Sequence, residues 1–277
     1  MILDRLTNAK NYQGCGVHCE EFNISDIICR DVWAVPSSEI SLFRDDVHLW
    51  LASSKQGSGC LQYMQSLLVG DEILRAKKFF FEEDRRRYII SRGFLRIILG
   101  RYLDIEPKEL CFSYNSYNKP LLEGTFLGDY IRFNLSHSGD LILYAITLGR
   151  EVGVDIEKIS FNENADDIVD RFFSEEEKED FRHLSHDLRQ EAFFKCWTRK
   201  EAYIKARGKG MTIPLDGFSV SLLPDEEPAL KYVKGNEDEV KRCWAIKDVI
   251  PGDGYVSAVA TEGDGMNYRY WQCHFEQ

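Results

Sequence analysis

The chain has 277 residues, 44% of them hydrophobic and 29% charged, with a net charge of −11. That length carries one large domain or two small ones with a real core, in the composition range of soluble globular proteins. The acidic balance argues against general nucleic-acid binding, and no apolar run approaches the roughly 20 residues that span a bilayer.

The opening segment, MILDRLTNAKNYQGCG, has no apolar signal-peptide core, so a cytoplasmic protein without a membrane partner is expected. Residues 1–44 have weak periodicity and read as an N-terminal extension. Within them CGVHC (Cys15, His18, Cys19) offers a metal-like pair, but no second pair with finger spacing follows. The remaining cysteines stand singly and read as free thiols of a reducing compartment.

DVHLWLAS alternates as a strand and is followed by the loop SKQGSG. GDEILRAKKFFFEEDRRRYIISRGFLRIILGRYLDI contains two helical stretches. Nine basic residues fall between Arg75 and Arg101 against three acidic ones, Glu82, Glu83 and Asp84. Such a stretch either holds an anion or forms a solvated helix face. LCFSYN reads as a strand and NKP as a turn, and IRFNLSHSGDLILYAITLG as two strands joined around SHSGD.

GVDIEKI is a further strand. Helices follow over ADDIVDRFF, SEEEKEDFRHL and LRQEAFFKCWTRKEAYIKARGKG, the second opening with a capping box at Ser174 and Glu177, the third closed by Gly208 and Gly210. FSVSLL, LKYVKG, CWAIKDVI and GYVSAVATEG complete the pattern as strands. The order of strand, helices and strands occurs twice. The expectation is an α+β fold of two similar lobes in pseudo-twofold arrangement, residues 45–150 and 151–277.

In a strand, residues two apart face the same way, so Asp155 and Glu157 project together. Two carboxylates on one face suit either a cation between them or plain solvent. On the long helix Phe193, Trp197, Glu201 and Lys205 recur every fourth residue, bringing Glu201 near an apolar stripe. Its partner is either Lys205 one turn later or a metal shared with Asp155 and Glu157. Three carboxylate oxygens suit Mg²⁺, with Mn²⁺ admissible, and such an ion commonly serves a phosphate-bearing substrate. His137 and Ser136, in NLSHSGD, and Lys119 are candidate phosphate partners. No P-loop, GxGxxG or GxSxG motif is present. The residues alone lead to a Mg-dependent enzyme acting on a phosphoanhydride.

GVDIEKI, followed after some 40 residues by FKCWTRKEAYIKARGKG, resembles the signature pair of 4′-phosphopantetheinyl transferases. FNLSHSGDLILYAI resembles that family's histidine motif, and NKP its lysine-proline turn. The likeness runs from about Asp46 to about Glu262. It is to the two-lobed, monomeric, surfactin-synthetase-activating type, and cyanobacterial members in particular. It implies transfer of the phosphopantetheine arm of coenzyme A to a serine of apo acyl or peptidyl carrier proteins, releasing 3′,5′-ADP. Under it Asp155, Glu157 and Glu201 become Mg²⁺ ligands, with Glu201, or alternatively Glu157, taking the serine proton. Lys205 steadies the pyrophosphate, and His137 and Ser136 contact the coenzyme A phosphates. Lys119, Arg75 and Arg87 meet the nucleotide and its 3′-phosphate. The first lobe would then contact the nucleotide and the second carry the metal and acid–base residues, with carrier docking helped by residues 160–190. The rival readings are a nucleotide pyrophosphatase sharing only the carboxylates, and a non-catalytic carrier-binding protein.

Overall fold

The computed structural model describes residues 33–34, 36, 40–123, 130–160, 165–235 and 243–273. CGVHC lies outside the described residues, as does most of the 1–44 segment.

The first half runs β1 (Asp46–Ser53), α1 (Ser58–Leu67), α2 (Gly70–Ala76), α3 (Glu82–Leu103), β2 (Cys111–Tyr114), β3 (Pro120–Glu123), β4 (Ile131–Ser138) and β5 (Leu141–Leu148). The second runs β6 (Val152–Lys158), α4 (Ala165–Phe172), α5 (Glu175–His183), α6 (His186–Arg207), β7 (Phe218–Val220), β8 (Leu230–Val233), β9 (Trp244–Val249), β10 (Tyr255–Glu262) and β11 (Asn267–Cys273).

Two main sheets result, in strand orders β11-β1-β5-β4 and β6-β10-β9. Alternation along β1 divides its side chains. Trp50 and Ala52 pack with Ile90, Phe94 and Leu95 of α3, while Val47, Leu49 and Leu51 turn to the other face. There they meet Val152, Val154 and Ile156 of β6 and Val259 of β10. The outer face of the second sheet is covered by Ala202, Tyr203 and Ala206 of α6. The layers are therefore helix, sheet, sheet, helix, with an apolar seam between the sheets.

The doubled pattern has a physical counterpart in buried charge. Glu72 of α2 accepts from Arg92 Nε at 2.9 Å and Arg96 Nε at 2.8 Å on the 22-residue α3. Glu177 of α5 accepts from Lys200 Nζ at 2.7 Å on the 22-residue α6. Each carboxylate also closes the start of its own short helix, by accepting from the N–H of Val69 or of Ser174. Glu177 completes the capping box expected with Ser174.

Within the basic stretch Arg92 and Arg96 are buried on Glu72, and Arg85 and Arg86 bind Glu82 and the Gln56 carbonyl, while Arg75, Lys77 and Lys78 stay exposed. β11, late in the chain, pairs in parallel with β1, Trp50 opposite Trp271.

Candidate functional site

β4 and β6 belong to different sheets but run alongside one another, joined by side chains instead of a backbone ladder. Asn134 Oδ1 accepts from Val154 N at 2.9 Å, Ser136 Oγ donates to Asp155 Oδ1 at 2.8 Å, and Ser138 Oγ donates to Glu157 Oε2 at 2.7 Å. Strand periodicity places every second residue of β4 on this seam.

Periodicity on β6 works the same way. Val152, Val154 and Ile156 enter the seam between the sheets, which leaves Gly153, Asp155 and Glu157 facing α6. A Cβ on Gly153 would run into the Ala202 carbonyl and the Ala206 amide, so only glycine admits the helix this close. That approach brings Lys205 onto the strand: its Nζ lies 2.6 Å from Asp155 Oδ1 and 2.9 Å from Ser136 Oγ. Gly208, at φ +62°, ends α6, and its carbonyl accepts from Asn115 Nδ2 at 2.9 Å.

The seam opens into a cavity of about 430 Å³ lined by Leu135, Ser136, His137, Asp155, Glu157, Trp197, Glu201 and Lys205. A second cavity of about 300 Å³ shares Leu135, Glu201 and Lys205 with it and extends past Tyr117 and Lys119. Asp155, Glu157, Glu201, Lys205, His137 and Ser136 thus line one cavity.

Burial pushes the Glu201 carboxyl above its ordinary pKa, with Asp155 and Glu157 adding to the rise and Lys205 opposing it. Burial likewise raises Glu157, against the hydrogen bond from Ser138. His137 is exposed by surface area, yet shielding of its ring, Arg87 and Lys205 hold its pKa below the usual imidazole value.

Lys119 lines the second cavity, but its ammonium donates to Glu151 Oε2 at 3.1 Å, the Ala206 carbonyl at 3.1 Å and the Val152 carbonyl at 3.3 Å. Arg75 and Arg87 line neither cavity. Arg75 is exposed, its guanidinium 5.8 Å from the Tyr88 ring centre, and Arg87 is paired with Asp84 and Glu83.

Do the residues fit a divalent cation? Asp155 Oδ2 is buried with no hydrogen-bond partner, and three carboxylates line the cavity, all hard oxygen donors. These features fit Mg²⁺ or Mn²⁺. Among the described residues no three His, Cys, Asp or Glu side chains are gathered into a ready metal cluster.

Sequence reading missed Ser138, Trp197 as a cavity wall, and Gly153. Ser138 had a legible signal, being two residues from Ser136 on the same strand face, and Trp197 had one in its period-four spacing with Glu201 and Lys205.

Comparison with known proteins identifies the family. Residues 151–260 match the model of the 4′-phosphopantetheinyl transferase superfamily, and residues 49–148 match that of the 4′-phosphopantetheinyl transferase N-terminal region. The chain is 36% identical over 239 residues to the 4′-phosphopantetheinyl transferase HetI of Nostoc sp., covering 86% of this chain and 97% of HetI. It is 32% identical over 210 residues to the Synechocystis protein slr0495, covering 76% of this chain and 79% of that protein. The 4′-phosphopantetheinyl transferase Sfp of Bacillus subtilis is 32% identical over 188 residues, 67% of this chain and 78% of Sfp. Matched across both halves, and by HetI over nearly its whole length, the chain belongs to the 4′-phosphopantetheinyl transferase superfamily and is a 4′-phosphopantetheinyl transferase.

Proposed function

We propose that the enzyme moves the phosphopantetheine arm of coenzyme A onto a serine hydroxyl of apo acyl or peptidyl carrier proteins, releasing 3′,5′-ADP. One observation carries this reading: Asp155, Glu157, Glu201 and Lys205 line a single cavity at the junction of the two sheets.

Asp155, Glu157 and Glu201 would hold Mg²⁺ or Mn²⁺, which when bound neutralises the charge of a pyrophosphate. Asp155 is fixed for this from one side, since Ser136 and Lys205 both donate to Oδ1 and leave Oδ2 unpartnered. Glu201 is the residue best suited to accept the serine proton. It lines the cavity beside Lys205, and in the cation-free site burial raises its carboxyl pKa. Glu157, raised for the same reason, is the alternative.

Lys205 places a cation against developing charge on the phosphate oxygens. His137 and Ser136, lining the same cavity, face the phosphates, and Lys119, Arg75 and Arg87 remain proposed contacts of the nucleotide portion. Phosphoryl transfer needs mainly in-line positioning and charge neutralisation, which matches a site rich in charge. We assign nucleotide contacts mainly to residues 45–150 and the carboxylates to the second half, acting as a monomer in the cytoplasm. Among the described residues no helix is long and apolar enough to cross a membrane.

The test is intact-mass analysis of an apo acyl carrier protein after incubation with enzyme, coenzyme A and Mg²⁺, beside EDTA and Asp155→Ala controls. A carrier heavier by one phosphopantetheine arm only in the complete reaction supports the proposal. A panel of acyl and peptidyl carriers that all keep their mass overturns it.

A further inference from the structure

The turn that follows Ser138 is anchored on both sides. Asp140 N donates to Tyr255 Oη at 3.2 Å from within β10, and Lys55 Nζ meets Asp140 Oδ2 at 2.8 Å. Gly139 takes φ +54° and a Cβ there would press on the Tyr255 hydroxyl. The backbone carrying Ser138 is therefore held between the two sheets.

The Ser138 hydroxyl is used in both directions. It accepts from Lys158 N at 3.1 Å and gives its hydrogen to Glu157 Oε2 at 2.7 Å. A hydroxyl has one hydrogen, so with Lys158 N–H on its lone pair the group has one orientation. Glu157 has no comparable internal restraint: its side chain has three rotatable bonds, lies half-buried in the cavity lining, and is repelled by Asp155. Ser136 does the equivalent work for Asp155 one register step away. The two serines, two residues apart on β4, each set one of two carboxylates two residues apart on β6.

We infer that Ser138 is a positioning residue that holds Glu157 on the cavity wall for the divalent cation. The inference rests on the reading of Asp155, Glu157 and Glu201 as the cation-holding set. Groups that orient metal ligands typically change affinity 10–100-fold when removed.

The experiment is a Mn²⁺ titration of the full chain at saturating coenzyme A, following loss of the free-ion electron paramagnetic resonance signal. A coenzyme A blank is subtracted, and thermal melts of each variant are run in parallel. Ser138→Ala and the near-isosteric Ser138→Cys are expected to weaken Mn²⁺ binding about tenfold or more, with Ser138→Thr, which keeps the hydroxyl, within about twofold of wild type. Ser138→Ala or Ser138→Cys binding as tightly as wild type overturns the inference, as does a Ser138→Thr variant as weak as either. Wild type binding no better than Asp155→Ala would instead overturn the cation reading beneath it.

Discussion

Lys205 Nζ stands 2.6 Å from Asp155 Oδ1, an ion pair in which the carboxylate is 4% exposed and the lysine 28%. The pair closes the distance between α6 and β6 at the point where the cavity opens. Lys205→Met should leave the buried carboxylate with Ser136 alone and cost about 1–3 kcal/mol of stability. It should also lower the transfer rate at least about a hundredfold, the scale of losing one preorganised charge partner. Urea unfolding and single-turnover carrier modification would read the two effects, and a variant unchanged in both would refute the role given to the pair.

Glu201→Gln is expected to separate activity from stability. It removes one of three crowded carboxylates, so the melting temperature should equal or exceed that of wild type, while carrier modification falls about 10²–10⁴-fold. A stable variant that still turns over at the wild-type rate would exclude Glu201 as the base.

Metal dependence has a readout in the melt. If Asp155, Glu157 and Glu201 hold the cation, adding Mg²⁺ at about a hundred times its dissociation constant should stabilise the fold by about 2.7 kcal/mol. EDTA should reverse the shift and Asp155→Ala should abolish it. A shift of equal size in Asp155→Ala would place the ion elsewhere.

Gly153→Ala should be among the most damaging single substitutions in the chain. The added methyl meets helix backbone, which cannot rotate away as a side chain would. A loss above about 3 kcal/mol, or failure to yield soluble protein, is expected. A variant with wild-type unfolding would mean that α6 does not sit where described.

Acid sensitivity should arise in part from His48. Burial lowers its pKa to about 4 from 6.5, with Asp46 opposing and Arg269 assisting. Tyr102 Oη lies 2.7 Å from His48 Nδ1 and receives Trp50 Nε1 at 2.9 Å, an arrangement that suits the neutral ring. Between those two pH values the unfolded chain binds the extra proton. The contribution of His48 is therefore whole above about pH 6.5 and is lost as pH falls towards 4. Between pH 7 and pH 5 it amounts to about 2 kcal/mol, and His48→Asn should flatten the stability profile by that much.

The site was legible where its geometry is local. Period-two alternation in GVDIEKI placed Asp155 and Glu157 together, and period-four spacing placed Glu201 and Lys205 one turn apart on α6. What escaped was set by partners distant in the chain. Arg92 and Arg96 look like surface charge until Glu72, 20 and 24 residues earlier, is folded under them. The partners of the Lys119 ammonium, Glu151 and two carbonyls, likewise lie far along the chain from it. The helix Ser58–Leu67 was hidden because its first turn overlaps the Gly/Ser-rich stretch read as loop, and the strand from Pro120 because proline reads as a turn. NYRYWQC carries too little apolar alternation to announce a strand, and its partner β1 begins 221 residues upstream, from Asn267 back to Asp46.

That last pairing has a consequence for how the chain is made. Until residues 267–273 leave the ribosome, β1 is an unprotected edge, and Trp50 lacks its cross-strand neighbour Trp271. The half synthesised first is thus the half completed last. Its sheet is completed by β11, which joins the second half of the chain to the first and makes a break near residue 150 a poor place to divide the molecule.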